Sequence, residues 1–337
     1  MKIFFIILLV VIVVILIGGK IYTDSIVHRA EEKYPPAEFV AVENVSLHYL
    51  EAGSGQPVVF ISGGSGKVQD FSLSPLHEIV VDDYKVIIFD RPGLGYSEKP
   101  SNEELTPTLQ ARLIHGAIKE LGYDKPVIVG QSWGGVIALA YAQEYADDLS
   151  GIVLLGSSPY PRERKTDYFN VIARTPIVGD LILHTLYVPI GRHWVAPAIM
   201  EQNKDSFAPL DTVPKSFYDA TIELGLRPSH LKAAAEETRV IPASLAALVD
   251  GLEKVAVPVM IVAGDQDKHA IEQASRLQQD LPATKLVVVE GANHYLWFSN
   301  PEIVVETIQQ LWEWAGEFKI PTQMTDAQPK LHMASLP

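Results

Sequence analysis

Fifteen consecutive apolar residues, Ile3–Ile17, stand almost at the start of the chain. A helix over 3–22 would be about 30 Å long, the thickness of a bilayer's hydrocarbon layer. Each Val, Ile, Leu or Phe near mid-membrane favours insertion by about 0.3–0.6 kcal/mol. The run therefore predicts a membrane anchor over 1–22. A cleaved signal peptide is the rival, but no A-x-A site follows, and Ile17-Gly18-Gly19 is a poor substitute. Lys2 precedes the span and Lys20, Arg29 and Lys33 follow it, so the Lys/Arg bias fits either orientation. A single short N-terminal span favours an extracytoplasmic domain. Residues 23–36 are polar, end at Pro35-Pro36, and read as a linker.

Beyond the linker the pattern changes. Glu38–Val42 and Val45–Glu51 alternate and read as an antiparallel pair turning at Glu43-Asn44. Short, almost wholly apolar runs then recur: Pro57–Ile61, Lys85–Phe89, Val127–Val129, Ile152–Leu155, Val257–Val262 and Lys285–Val289. Such runs suit strands buried on both faces of a parallel sheet. Helical patterns separate several of them, at Leu105–Leu121, Trp133–Tyr145, 270–280 and 301–315. The last follows Asn300-Pro301, a capping arrangement. Between 158 and 255 the alternation breaks into helical patterns interrupted by prolines. That gives an α/β core over 37–157 and 256–317, an all-α insertion over 158–255 expected to act as a lid, and a loose tail over 318–337.

Composition narrows the function. The chain has 337 residues, 47% of them apolar, enough for a large core. Its formal net charge of -14, with no Lys/Arg cluster, excludes a nucleic-acid partner. With no cysteine there is no disulfide, thiolate chemistry or cysteine-ligated metal. The Gly63–Lys67 stretch mimics a phosphate loop, but Val68 stands where Ser or Thr is required. No H-E-x-x-H or comparable metal spacing occurs. Catalysis is expected to need no cofactor or metal.

One hydroxyl sits where chemistry is expected. Ser132, in Gly130-Gln131-Ser132-Trp133-Gly134, falls between the Val127–Val129 strand and the following helix. Open α/β sheets bind ligands at such strand ends. The G-x-S-x-G spacing is that of a nucleophile elbow, whose sharp turn leaves no room for side chains at Gly130 and Gly134. It also aims the Trp133 N–H at a developing oxyanion. A serine needs a base. Of the ten histidines, His294 follows the last strand and precedes a helix, so its loop opens beside Ser132. The histidine needs a carboxylate. Asp265 and Asp267 follow the preceding strand, and both are candidates by position.

The order Ser–Asp–His with this elbow resembles the α/β-hydrolase superfamily over about residues 38–316. The resemblance implies a mostly parallel twisted sheet flanked by helices. It places the acid in a G-x-x-D loop, which Gly264–Asp267 matches at Asp267. It also implies a second oxyanion donor in the loop Ser62-Gly63-Gly64-Ser65-Gly66, with Gly64 the candidate and Gly63 the fallback. Ser62 and Ser65 depart from the usual H-G-x-P-G, but a backbone donor tolerates that. Asp90–Ser97 is similar to the family's structural D-x-P-G-x-G-x-S turn. The serine argues against the aspartate-dependent epoxide hydrolases and haloalkane dehalogenases. The expected activity is hydrolysis of a carboxylic ester, on a small-molecule acyl substrate of hydrophobic or lipid-like character. Alternatives are a proline iminopeptidase-like aminopeptidase, with Glu236 or Glu237 holding the amine, a C–C bond hydrolase, or a binding protein that turns over slowly or not at all. Lid aromatics Phe169, Trp194, Phe207, Phe217 and Tyr218 are candidates to line an acyl pocket. Nothing in the pattern encodes the oligomeric state.

Overall fold

The computed structural model describes residues 1–162, 167–281 and 283–318. Helix α1, Lys2–Lys33, precedes β1 (Glu38–Val42), β2 (Val45–Ala52) and β3 (Gln56–Ile61). Two short helices, α2 (Val68–Ser72) and α3 (Pro75–Val80), lead to β4 (Tyr84–Phe89). Then come α4 (Pro107–Glu120), β5 (Val127–Gln131), α5 (Trp133–Glu144) and β6 (Gly151–Leu155). The eight strands form one sheet in the order β1-β2-β4-β3-β5-β6-β7-β8, where β7 is Val259–Gly264 and β8 is Thr284–Val289. Strands β3 to β8 run parallel, and β2 pairs antiparallel with both β1 and β4.

The central strands β3–β7 are apolar on both faces because both are covered, whereas β8, expected to be buried likewise, is an edge strand that leaves Val288 exposed. Ile61, Ile87, Ile128, Ile152 and Ile261 point into one core, against Ile137 of α5. Val58, Val86, Val129, Val153 and Val262 point into the other, with Phe71, Leu76 and Trp297. Helix α4 begins where Thr106 caps it, its hydroxyl accepting the Leu109 N–H. Helices α2 and α3 left no mark in the sequence pattern, because five or six residues are too few to show a helical period.

Among the described residues, the insertion between β6 and β7 holds helices joined by turns and no strand. It comprises α6 (Tyr168–Ala173), α7 (Val178–Ile182), α8 (Val188–Ile190), α9 (Ala196–Gln202), α10 (Lys215–Leu224) and α11 (Pro228–Asp250). Two π-helical turns, Leu183–Tyr187 and Gly191–Val195, join α7, α8 and α9 without a break. After β7 come α12 (Lys268–Asp280), α13 (Leu296–Ser299) and α14 (Pro301–Glu317).

Residues 23–33, expected as the first part of a linker, instead continue α1. Thr23, Ile26 and Ala30 recur at helical spacing and are buried. The helix docks on the insertion so closely that a Cβ on Gly19 would lie 1.8 Å from the Thr185 carbonyl oxygen. The polar residues around these three hid the stripe in the sequence. Pro35 and Pro36 stop the helix. The expected loose tail lies, from 319 onward, outside the described residues.

Candidate active site

Ser132 occupies the single residue between β5 and α5, with φ 50° and ψ -113°. An L-residue is held in this strained region only where its surroundings over-determine it. Here the backbone is packed too tightly to relax. A Cβ on Gly134 would lie 2.1 Å from the Ile61 carbonyl oxygen, and one on Gly130 2.5 Å from the Gly134 carbonyl oxygen. Gly135, which the pentapeptide does not include, is equally constrained, with Ser157 Oγ 1.8 Å from its virtual Cβ. The Ser132 N–H is tied to the Leu155 carbonyl at 2.9 Å. Trp133 is the first residue of α5, where backbone N–H groups have no partner within the helix.

His294 lies between β8 and α13, and its Nδ1 is 2.7 Å from Asp267 Oδ2. Asp267 caps α12, its other oxygen accepting the Ala270 N–H at 3.0 Å. Burial pushes its carboxyl pKa up. The hydrogen bonds from His294 and Ala270 outweigh that and hold the pKa below the ordinary carboxylate value. Asp265 points elsewhere and accepts the Gly291 N–H at 2.9 Å. The structure thus brings Asp267, not Asp265, to the histidine. Gly156, at φ 53°, leaves room for the imidazole, since a Cβ there would come within 3.2 Å of Nδ1.

The sequence reading did not single out the Gln131 side chain. Its Oε1 accepts the Gly63 N–H at 3.0 Å, which turns its Nε2 towards His294 Nε2 at 2.9 Å. That amide nitrogen can only donate, so His294 Nε2 accepts and Nδ1 carries the hydrogen bound by Asp267. Both ring nitrogens are therefore assigned, and the Nε2 lone pair is held by Gln131 rather than by Ser132 Oγ.

The same bond separates the two oxyanion candidates. The Gly63 N–H is committed to Gln131, and the Gly63 carbonyl accepts from Arg91 Nη2 at 2.7 Å. Gly64 faces open space and lines a cavity with Ser132 and Trp133. That cavity, of about 190 Å³, is also lined by Tyr160, Arg162, Glu237 and Ile241. None of Phe169, Trp194, Phe207, Phe217 or Tyr218 lines it. Phe207 and Phe217 instead pack with Tyr295 and Phe298 beneath the histidine loop. The loop hangs on the insertion, where the Asn293 and Tyr295 N–H groups donate to the Ala208 and Ser206 carbonyls.

Arg91 is wholly buried and forms an ion pair through both terminal nitrogens with buried Glu237 of α11, while Gln110 bonds to both. His230, also on α11, accepts the Gly95 N–H on Nδ1 and donates from Nε2 to the Ser65 carbonyl. Burial, with Lys67 and Arg227 nearby, pushes its pKa down to about 3. Lys67, the lysine of the false phosphate loop, pairs with Asp70 at 2.6 Å. Among the described residues no cluster of three His, Asp or Glu could hold a metal.

Residues 58–307 match the family model described as the alpha/beta hydrolase family. The chain belongs to that family. A 2-(acetamidomethylene)succinate hydrolase of Mesorhizobium japonicum is 29% identical, over 80% of this chain and 92% of its own. A proline iminopeptidase of Saccharolobus solfataricus is 24% identical, over 78% and 86%. Among solved structures, a membrane phospholipase A, described as a novel bacterial virulence factor, aligns with a TM-score of 0.61 at 22% identity. That alignment covers 94% of this chain and all of the other. The α/β hydrolase fold here thus carries hydrolase relatives with several different substrates.

Proposed function

We propose that this α/β hydrolase cleaves a carboxylic ester through an acyl-enzyme on Ser132. The observation that carries the reading is the Asp267–His294 hydrogen bond, which puts the proton on Nδ1 and the lone pair on Nε2, an atom bonded at rest to Gln131, the residue next to the strained serine. Gln131 Nε2 withdraws from His294 Nε2, which then takes the Ser132 hydroxyl proton as Oγ bonds to the acyl carbon. The N–H groups of Gly64 and Trp133 hold the oxyanion. Collapse breaks the bond to the alkoxy oxygen, which leaves with the proton from His294. Water, deprotonated by His294, then releases the acid and restores Ser132. Helix α1, whose 18-residue window has a mean hydropathy of 3.1 and no buried residue, anchors the enzyme in a membrane.

The cavity suits a short or compact acyl group as it stands. A lipid-like chain requires the insertion to move as a lid. The aminopeptidase alternative finds little support, because Glu237, the acid lining the cavity, is already neutralised by Arg91. Arg162 in the cavity lining favours a second reading, a substrate that carries a carboxylate. The same residues would serve C–C bond hydrolysis of such a compound.

The test compares wild type with Ser132→Ala on p-nitrophenyl esters from acetate to palmitate, p-nitrophenyl hemisuccinate and proline p-nitroanilide, with a first-turnover burst recorded. We expect a burst on esters and a loss of roughly 10⁴-fold or more in kcat in the variant. Arg162→Gln lowering kcat/KM at least ten-fold on the hemisuccinate alone would select the second reading. Ester turnover surviving in Ser132→Ala, or no fluorophosphonate label on wild type, sinks the acyl-enzyme. Turnover of the anilide alone indicates the peptidase.

A further inference from the structure

In the continuous helical run from α7 through α9, the charges of Asp180 and Arg192 are paired inward, while a line of apolar side chains is left bare. Asp180 is paired with Lys232, and Arg192 with Glu223, both towards the rest of the insertion. The bare line comprises Val178, Leu181, Leu186, Ile190 and Trp194, the last 67% accessible. These five recur three to five residues apart. The π-helical turns lengthen the period beyond 3.6, so such steps stay in one line. Ile177, 80% accessible, extends the line past the start of α7, and Val171 and Ile172 of α6 are exposed as well. Soluble monomers rarely leave so large an apolar surface in water.

This ridge adjoins α1 at the level where its apolar run ends. Gly19 packs on Thr185, and Tyr22 Oη lies 2.7 Å from His193 Nε2, one residue before Trp194. Above that point every residue of α1 from Ile3 to Val14 is exposed and apolar. Below it stand Lys20 and Asp24, paired with each other. The junction therefore marks the water boundary of the bilayer that α1 enters, and the ridge lies against it. Tyr22 and Trp194 sit there together, as aromatic residues do at membrane interfaces.

We propose that the α7–α9 ridge is a second membrane contact, lying in the headgroup region of the bilayer that α1 spans. The inference rests on the anchor role of α1. It makes the insertion a monotopic element. The catalytic domain then has one fixed face towards the lipid, instead of swinging on a tether.

The chain's lack of cysteine makes the test direct. Single cysteines replace Leu181, Ile190 and Trp194, with Val10→Cys as the anchor reference and Glu272→Cys, exposed on α12, as the aqueous one. Each full-length variant is nitroxide-labelled and placed in vesicles of phosphatidylcholine with a minority of phosphatidylglycerol. Collision with oxygen is then compared with collision with a water-soluble nickel chelate. We expect the three ridge labels to favour oxygen, at depths between the two references. Val10 deep in lipid while the ridge labels match Glu272 overturns the ridge and leaves the anchor standing. Ridge labels shielded from both probes and broadened by spin–spin coupling also overturn it, since a second copy of the chain would then cover the ridge. Val10 reading as aqueous removes the anchor, and the ridge with it.

Discussion

Asp265 and Asp267 stand two residues apart and do different work. Asp267 fixes the tautomer of His294, whereas Asp265 holds the Gly291 N–H. Asp267→Asn should therefore cost roughly 10³–10⁴-fold in kcat with an unchanged circular dichroism spectrum. Asp265→Asn keeps an acceptor for Gly291 and should stay within a few-fold of wild type. Equal losses in the two would contradict the assignment. His230 gives a pH signature. The unfolded chain binds its proton near 6.5, the folded chain only near 3. The unfolded state thus holds more protons between those values, and stability falls as pH drops through that window. The slope for one such group is roughly 1.4 kcal/mol per pH unit at most. Urea midpoints measured from pH 7 to 4 should fall less steeply in His230→Asn than in wild type.

Between elements, the buried Arg91–Glu237 pair joins α11 to the loop after β4, and Arg91 also holds the Gly63 carbonyl. Insertion, core and the Gly63–Gly64 loop thereby share one guanidinium. Glu237→Gln leaves that cation buried without its counter-charge, which should cost about 3–5 kcal/mol by denaturant unfolding. Arg91→Met combined with Glu237→Leu should regain most of that stability, since no charge is left buried. It should not regain kcat, because the Gly63 carbonyl has lost its guanidinium donor and keeps only the Gly66 N–H. Recovery of both would mean that the loop keeps its shape without Arg91.

Across the whole molecule, α1 belongs both to the apolar span and to the folded domain. Its lower third packs on the insertion through Thr23, Ile26 and Ala30. Gly19→Val forces branched carbon atoms against the Thr185 carbonyl. We expect faster amide hydrogen exchange over 19–33 in that variant, measured in detergent, with ester hydrolysis within a few-fold of wild type. Unchanged exchange would show that α1 holds its place without the close approach at Gly19.

Local patterns carried most of the architecture. Doubly buried strands, the elbow glycines and the serine, acid and histidine in their order all read directly from the chain, because each depends on neighbours a few residues away. The sequence alone likewise marked an apolar helix long enough to span a bilayer. Tertiary structure decided the rest. Position leaves Asp265 and Asp267 open and only the G-x-x-D resemblance favours Asp267; which of them meets His294 depends on how the loops after β7 and β8 fold. The Gln131 bridge depends on Gly63, 68 residues before it in the chain. The buried stripe on α1 and the bare ridge on α7–α9 acquire meaning only against each other. A side chain's partner across a turn of helix or strand is written in spacing. A partner brought in by long-range packing is not, since nothing local reports the distance between them.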